Sequence, residues 1–102
     1  MTQEAGQTRL RLDWNRQRLF VDEQEMHMTP MECRLIAALV QSQGRALSED
    51  ETVAVVWGIS RPRKAQYLRK LVRQVRQKIE CDPERPRHLV GAPGRGYRLK
   101  LG

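Results

Sequence analysis

The sequence predicts an α+β domain: a short N-terminal antiparallel sheet, three helices, and a β-hairpin that closes the chain. Three observations carry that prediction. Apolar and polar residues alternate along the first thirty or so positions, about as a sheet requires. Helix-start signals then recur at Thr29 and Ser48, each ahead of a helical periodicity. Last, HLVGAPGRGYRLKL is two short runs split by a Gly/Pro-rich turn. With 102 residues and 39% hydrophobic content the chain can bury one core and no more. One compact domain over 8–102 is therefore expected. The polar start, 1–7, reads as a disordered tail or linker remnant rather than an export signal.

LRLDW and RLFVD alternate around the turn-like Asn15, which predicts a hairpin with Leu10, Leu12, Leu19 and Val21 on a buried face. EMHMT adds a third short strand through Met26 and Met28. The first helix opens with Thr29 as cap, Pro30 in the first turn and Glu32 completing a capping box. It runs to about Gln41, burying Leu35, Ile36, Leu39 and Cys33, and QGR stops it. The second helix opens at Ser48 with the box SEDE, whose acids suit the positive end of the helix dipole. Val53, Val56 and Trp57 face inward, the Trp57 indole N–H needing a partner, and Gly58 ends the helix. The third helix spans about 64–80 and stops before Asp82-Pro83. Leu68, Val72, Val75 and Ile79 recur at i, i+4, i+7 and i+11, one buried stripe. Opposite it lie Gln66, Lys70, Arg73 and Gln77, with Arg69 and Gln74 on the flanks. The closing hairpin occupies about 88–101, with Tyr97 packed beneath it.

Charge is divided sharply between the halves. Arg61–Gly102 holds thirteen Lys/Arg against three acids, while Met1–Ser60 holds six against nine, giving +10 and −3 for the stated net +7. A basic helix followed by a basic hairpin makes a pair of nucleic-acid probes. The longest apolar stretches, LIAALV and TVAVVWGI, are too short to span a bilayer. Cys33 and Cys81 stand far apart without metal or redox spacing, and His27 and His88 are single. No phosphate-loop, nucleophile-elbow or paired-carboxylate pattern occurs, so no enzyme, cofactor or metal site is expected, and the cytoplasm is the default compartment.

Three helices closed by a hairpin describe a winged helix-turn-helix. In that order and spacing, MTPMECRLIAAL, GRALSEDE, VVWG, VRQVRQKIE, DPERPRHL and GRGYRL resemble the C-terminal DNA-binding domain of OmpR/PhoB-type response regulators, over residues of about 8–101. YLR at 67–69, RQK at 76–78 and DPERPRH at 82–88 are similar to the potassium-transport regulator branch of that family. The resemblance implies a four-stranded N-terminal sheet, a recognition helix in the major groove of double-stranded DNA, and a wing on the adjacent minor groove. It also implies head-to-tail pairing on tandem repeats, monomers in the absence of DNA, and a receiver domain in the full-length protein. A chain of this length has no room for that receiver, so it is either a cut-out effector domain or a stand-alone regulator. The loop from Gly58 to Arg63 corresponds to one that touches RNA polymerase in the family; being short and basic here, it reads more simply as a turn with phosphate contacts.

Arg and Lys suit guanine O6/N7 and Gln suits adenine N6/N7, so Gln66, Lys70, Arg73 and Gln74 are the candidates for base reading. Arg63, Lys64, Arg69 and Arg76 are better placed for phosphates, by flank or by entry loop. Tyr67 fits either packing or groove contact. On the wing, Arg95 projects between Gly94 and Gly96 toward a narrow minor groove, and Arg98 follows on the second strand. The family's wing cation usually precedes the first of these glycines, where this chain has Pro93. Arg69 likewise stands where the family has an acidic or small polar residue, so base preference does not transfer from a relative. Two other classes compete with a sequence-specific regulator: a winged helix that binds an acidic protein, and an architectural binder without sequence preference. A steep salt dependence with duplex DNA excludes the first, and strong sequence selectivity excludes the second.

Overall fold

A computed structural model describes residues 10–13, 15–16, 18–58, 64–92 and 94–100. The expected start segment 1–7, the cation Arg63 with most of its loop, and Pro93 lie outside them. β1 (Leu10–Asp13) pairs antiparallel with β2 (Arg18–Val21), placing Leu10 opposite Val21 and Leu12 opposite Leu19. These four form the predicted inner face: Leu10 and Leu19 are buried, and Leu12 and Val21 pack against the core. On the outer face the Arg11 guanidinium lies 4.4 Å from the Phe20 ring centroid. β3 (Gln24–Met26) pairs with β2 and ends at Met26, two residues before the expected limit. Its register with β2 reaches Leu19↔Met26 and has only Arg18 left to continue on, so Met28 packs on the core from the connection instead. Among the described residues the sheet has three strands, matching the pattern reading rather than the four that the resemblance implies.

The turn between β2 and β3 is tight, and it places two residues at positive φ, Asp22 at 51° and Glu23 at 68°. A two-residue hairpin loop of this kind favours Asp or Asn followed by Gly. Asp22 suits its place, but Glu23 bears a Cβ in a left-handed conformation. Glu23→Gly should therefore stabilise the domain by about 0.5–1 kcal/mol, the relief of strain exceeding the added freedom of the unfolded chain. Urea denaturation would read this as a higher midpoint at unchanged slope, and a lower midpoint would contradict it.

α1 (Pro30–Gln41) begins with the predicted capping box. The Glu32 N–H donates to Thr29 Oγ1 at 3.3 Å, and the Thr29 N–H donates to Glu32 Oε1 at 2.8 Å. α2 (Glu49–Trp57) repeats the arrangement through Ser48 and Glu51, and its end is closed by Gly58 at φ 76°, whose N–H bonds the Ala54 carbonyl. Arg34 of α1 donates to the Val56 carbonyl at 3.2 Å, placing a cation at the negative end of α2. α3 (Lys64–Ile79) has the predicted stripe buried, and Leu71 is buried beside it. Leu35, Leu39, Val56, Leu68, Val75 and Leu89 have no exposed surface. Each such burial contributes about 1.5–3 kcal/mol. Tertiary packing, rather than helix propensity, thus holds α3 with its polar face outward.

β4 (Leu89–Ala92) and β5 (Gly96–Leu99) form the closing hairpin, with Leu89 opposite Leu99 at its buried root. The hairpin docks on the α1–α2 connection, where the Leu47 N–H donates to the Tyr97 carbonyl at 2.8 Å and the Tyr97 N–H to the Leu47 carbonyl at 2.9 Å. At the base, Lys100 N–H donates to the His88 carbonyl at 2.8 Å. The buried His88 ring returns a bond from Nδ1 to the Lys100 carbonyl at 2.8 Å. His88 is thus a structural clasp.

Candidate nucleic-acid interface

Because the apolar stripe of α3 is turned wholly inward, the opposite face is left to solvent. Gln66, Lys70, Arg73 and Gln74 are all exposed on it, spaced i, i+4, i+7 and i+8, so they share one side of the helix. Two amides and two cations on one exposed face can donate to and accept from base edges without desolvating a buried group. Tyr67 is 57% exposed, and Val55 of α2 is the other large apolar side chain left so open among the described residues.

At the start of α3, Lys64 Nζ lies 4.8 Å from the Tyr67 ring centroid and 5.8 Å from that of Trp57. The two rings hold this ammonium at the junction of α2 and α3, and in doing so they give both aromatics a role: Trp57 is half-buried against the core, and Tyr67 flanks the cation. Arg69 stands 3.7 Å from Glu49 at the first turn of α2, the arginine side chain 63% exposed and the carboxylate 38%. An exposed pair of this kind is worth only about 0–1 kcal/mol, so a phosphate can replace the carboxylate at little cost.

The wing tip is closed by the Arg95 N–H donating to the Ala92 carbonyl at 2.8 Å, and Arg95 itself is exposed. Arg98 is exposed on β5 and lines an open cleft together with Arg95, Arg45 and the end of the α1–α2 connection. Arg45 is a cation that sequence reasoning missed. It looked like part of a helix stop, and only the long-range bridge from Leu47 to Tyr97 carries it to the wing.

Arg76 is half-buried, its Nε donates to the Leu89 carbonyl at 2.9 Å, and its guanidinium lies 5.9 Å from the Tyr97 ring centroid. Its Nε is thus engaged at the wing root, on the flank of α3 for which a phosphate contact is expected. Tyr97 packs beneath the wing as predicted. Burial pushes its hydroxyl above the ordinary tyrosine range, Glu49 adds to that push, and Arg76 and Arg69 oppose it. Cys33 is half-buried, and burial raises its thiol, with Glu32 adding to the effect and Lys78 opposing it; it is held as a neutral small hydrophobe. Arg63 cannot be placed beside these residues, since it lies outside the described ones.

A helix-turn-helix whose second helix presents cations and amides, flanked by a cationic hairpin at its side, defines a winged-helix DNA-binding domain. The chain belongs to the OmpR/PhoB family of transcriptional regulators, of which it is the C-terminal domain: residues 23–99 match the family model described as "Transcriptional regulatory protein, C terminal". It is 42% identical over 79 residues to the KDP operon transcriptional regulatory protein KdpE of Escherichia coli (strain K12), covering 78% of this chain and 35% of that protein. Sensory transduction protein RegX3 of Mycobacterium leprae (strain TN) is 33% identical over 91 residues, 89% of this chain and 46% of that one. The chain thus spans about a third of the length of the first of these relatives. Among solved structures, the Klebsiella pneumoniae RstA DNA-binding domain in complex with the RstA box superposes at a TM-score of 0.82 and 11% identity, covering 100% of both chains. The DNA-binding domain of CpxR from E. coli gives 0.74 at 23% identity, covering 88% of each chain. These two likenesses carry the fold, and at such identities no contact residues.

Proposed function

We propose that this domain binds specific double-stranded DNA as the effector part of a two-component response regulator, with α3 in the major groove and the β4–β5 wing on the neighbouring minor groove. One observation carries the reading: Gln66, Lys70, Arg73 and Gln74 stand together on the exposed side of α3, and Arg95 is exposed at the tip of the wing. The kinship with named regulators and the shared fold with a domain solved on its DNA box support it. Lys64, Arg69 and Arg98 serve as phosphate contacts, Tyr67 lies at the groove edge, and Arg45 extends the basic surface behind the wing. The protein works in the cytoplasm, joined to a receiver domain. It is a monomer alone and pairs head to tail on tandem half-sites; phosphate contacts are assigned to the segment that includes 59–63, with contact to RNA polymerase as the second reading.

Selection of bound sequences from random duplexes tests the reading directly. With about five to seven phosphates neutralised, log K should fall against log salt with a slope of about −4 to −6 per protomer. Arg73→Ala should cost about 1–3 kcal/mol on the selected site and relax selectivity at one position. The same loss on every sequence would make Arg73 a phosphate contact, and a slope near zero would remove duplex DNA as the partner.

A further inference from the structure

The end of α3 and the residue that follows it grip the root of the wing at two positions four residues apart. The Arg76 Nε holds the Leu89 carbonyl at 2.9 Å. The buried Glu80 carboxylate, immediately after the helix, accepts the N–H groups of Arg87 at 2.8 Å, His88 at 3.0 Å and Leu89 at 2.7 Å. Both backbone polar groups of Leu89, the first residue of β4, are thus held by side chains from the end of α3 and the residue that follows it. Arg76 also reaches the other wing strand through the face of Tyr97. The backbone that carries that ring is itself anchored, because Tyr97 pairs in both directions with Leu47.

From Leu89 to the end of β4 the strand rises about 10 Å, so a rotation of about 10° at the root carries the tip about 2 Å. A groove contact tolerates only about 0.5 Å of such error. The angle between helix and wing therefore has to be set at the root, where Arg76 sits. A guanidinium suits this task, since its planar fork donates along one edge while its face lies against an aromatic ring; an ammonium does not combine the two.

We propose that Arg76 is a positioning residue for DNA recognition: it fixes the wing relative to α3, so that Arg95 meets the minor groove while Arg73 and Gln74 are seated in the major groove. The proposal rests on the DNA-binding reading above. It is tested by a cycle of Arg76→Met, Arg95→Ala and the double variant, binding one selected duplex by fluorescence anisotropy, with circular dichroism confirming a folded domain at the assay temperature. In the wild-type background Arg95→Ala should weaken binding about 10-fold and flatten the salt slope by about 1. In the Arg76→Met background the same change should cost less than about 2-fold, because the wing no longer delivers its cation. Arg76→Met alone should already show the flattened slope, and Arg76→Lys should not restore it. Losses that simply add would overturn the proposal, making Arg76 an independent DNA contact or a scaffold residue. If Arg76→Met melts below the assay temperature, Arg76→Gln, which keeps a donor near Leu89 and loses the cation on Tyr97, gives the same cycle with the same two outcomes. A wild-type domain that selects no duplex at all would overturn the DNA-binding reading, whereas selection with an additive cycle would overturn only the role of Arg76.

Discussion

Gly96→Ala is expected to destabilise the domain by about 3–5 kcal/mol, among the largest effects a single methyl group can have here. Gly96 has φ 97°, a left-handed conformation, and a Cβ built on it would lie 1.9 Å from the Leu47 carbonyl oxygen and 2.7 Å from Ser48 Cα. Both neighbours are backbone, so no side chain can swing aside. Nor can the strands separate freely, because the adjacent residue Tyr97 exchanges two hydrogen bonds with Leu47. Relieving the clash means losing those bonds, at about 0.5–1.5 kcal/mol each. The unfavourable φ adds about 1–2 kcal/mol whatever the space. For a domain of this size each kcal/mol lowers the melting temperature by about 4–8 °C, so the drop should be about 12–40 °C. Gly91→Ala is the control: that site has nothing within 4 Å of a new Cβ and no positive φ, and its melt should stay within about 0.5 kcal/mol of wild type. A Gly96→Ala domain that melts with the wild type would mean that the wing does not dock on Leu47.

What the sequence made legible follows the reach of each signal. The starts of α1 and α2 were readable because a capping box is local chemistry, three residues wide, and both boxes form. The inner face of α3, and hence its outer face, was readable because periodicity is local as well. The end of β3 was not, since where a strand stops depends on its register with its partner, and that is a property of the pair. Leu71 escaped the stripe because it lies at its edge, and its burial depends on what packs there. The docking of Leu47 on Tyr97, the work of Glu80 and the inward turn of Arg76 all depend on contacts between distant segments. In the sequence, Arg76 is one cation among several in VRQVRQKIE; only the presence of the Leu89 carbonyl 13 positions later distinguishes it from Arg73. Exposed cations were therefore predicted well as a class and less well one by one.

Glu32 shows the same division, and it leads to the second large effect. As a capping residue it was legible, but its side chain is also buried and hydrogen-bonded by Lys78, 46 residues away in the last turn of α3. Lys78 Nζ reaches the His27 carbonyl too, at 2.8 Å, so one ammonium ties α3 to both ends of the α1 entry. Burial pushes the Glu32 carboxyl up; the hydrogen bond from Lys78, those from Thr29 and the charge of Lys78 outweigh it and bring it below the ordinary carboxylate range. A carboxyl depressed in this way adds stability that is fully present above its unfolded pKa and is lost as pH falls through the lower folded value. Lys78→Met leaves the carboxylate buried without its cation, which should cost about 2–4 kcal/mol at pH 7, somewhat less than for a fully buried pair because Lys78 keeps some exposure. In that variant the upward push of burial is opposed by Thr29 alone, so the folded value rises. The deficit relative to wild type should then shrink as pH falls through the carboxylate range, because Glu32 takes up its proton in the variant before it does so in the wild type. Urea titrations of both proteins at neutral and acid pH would show the gap closing. A deficit that stayed constant with pH would mean that Lys78 acts through packing of its methylene stem, and a variant as stable as wild type at pH 7 would remove the ion pair from the account of how α3 is held.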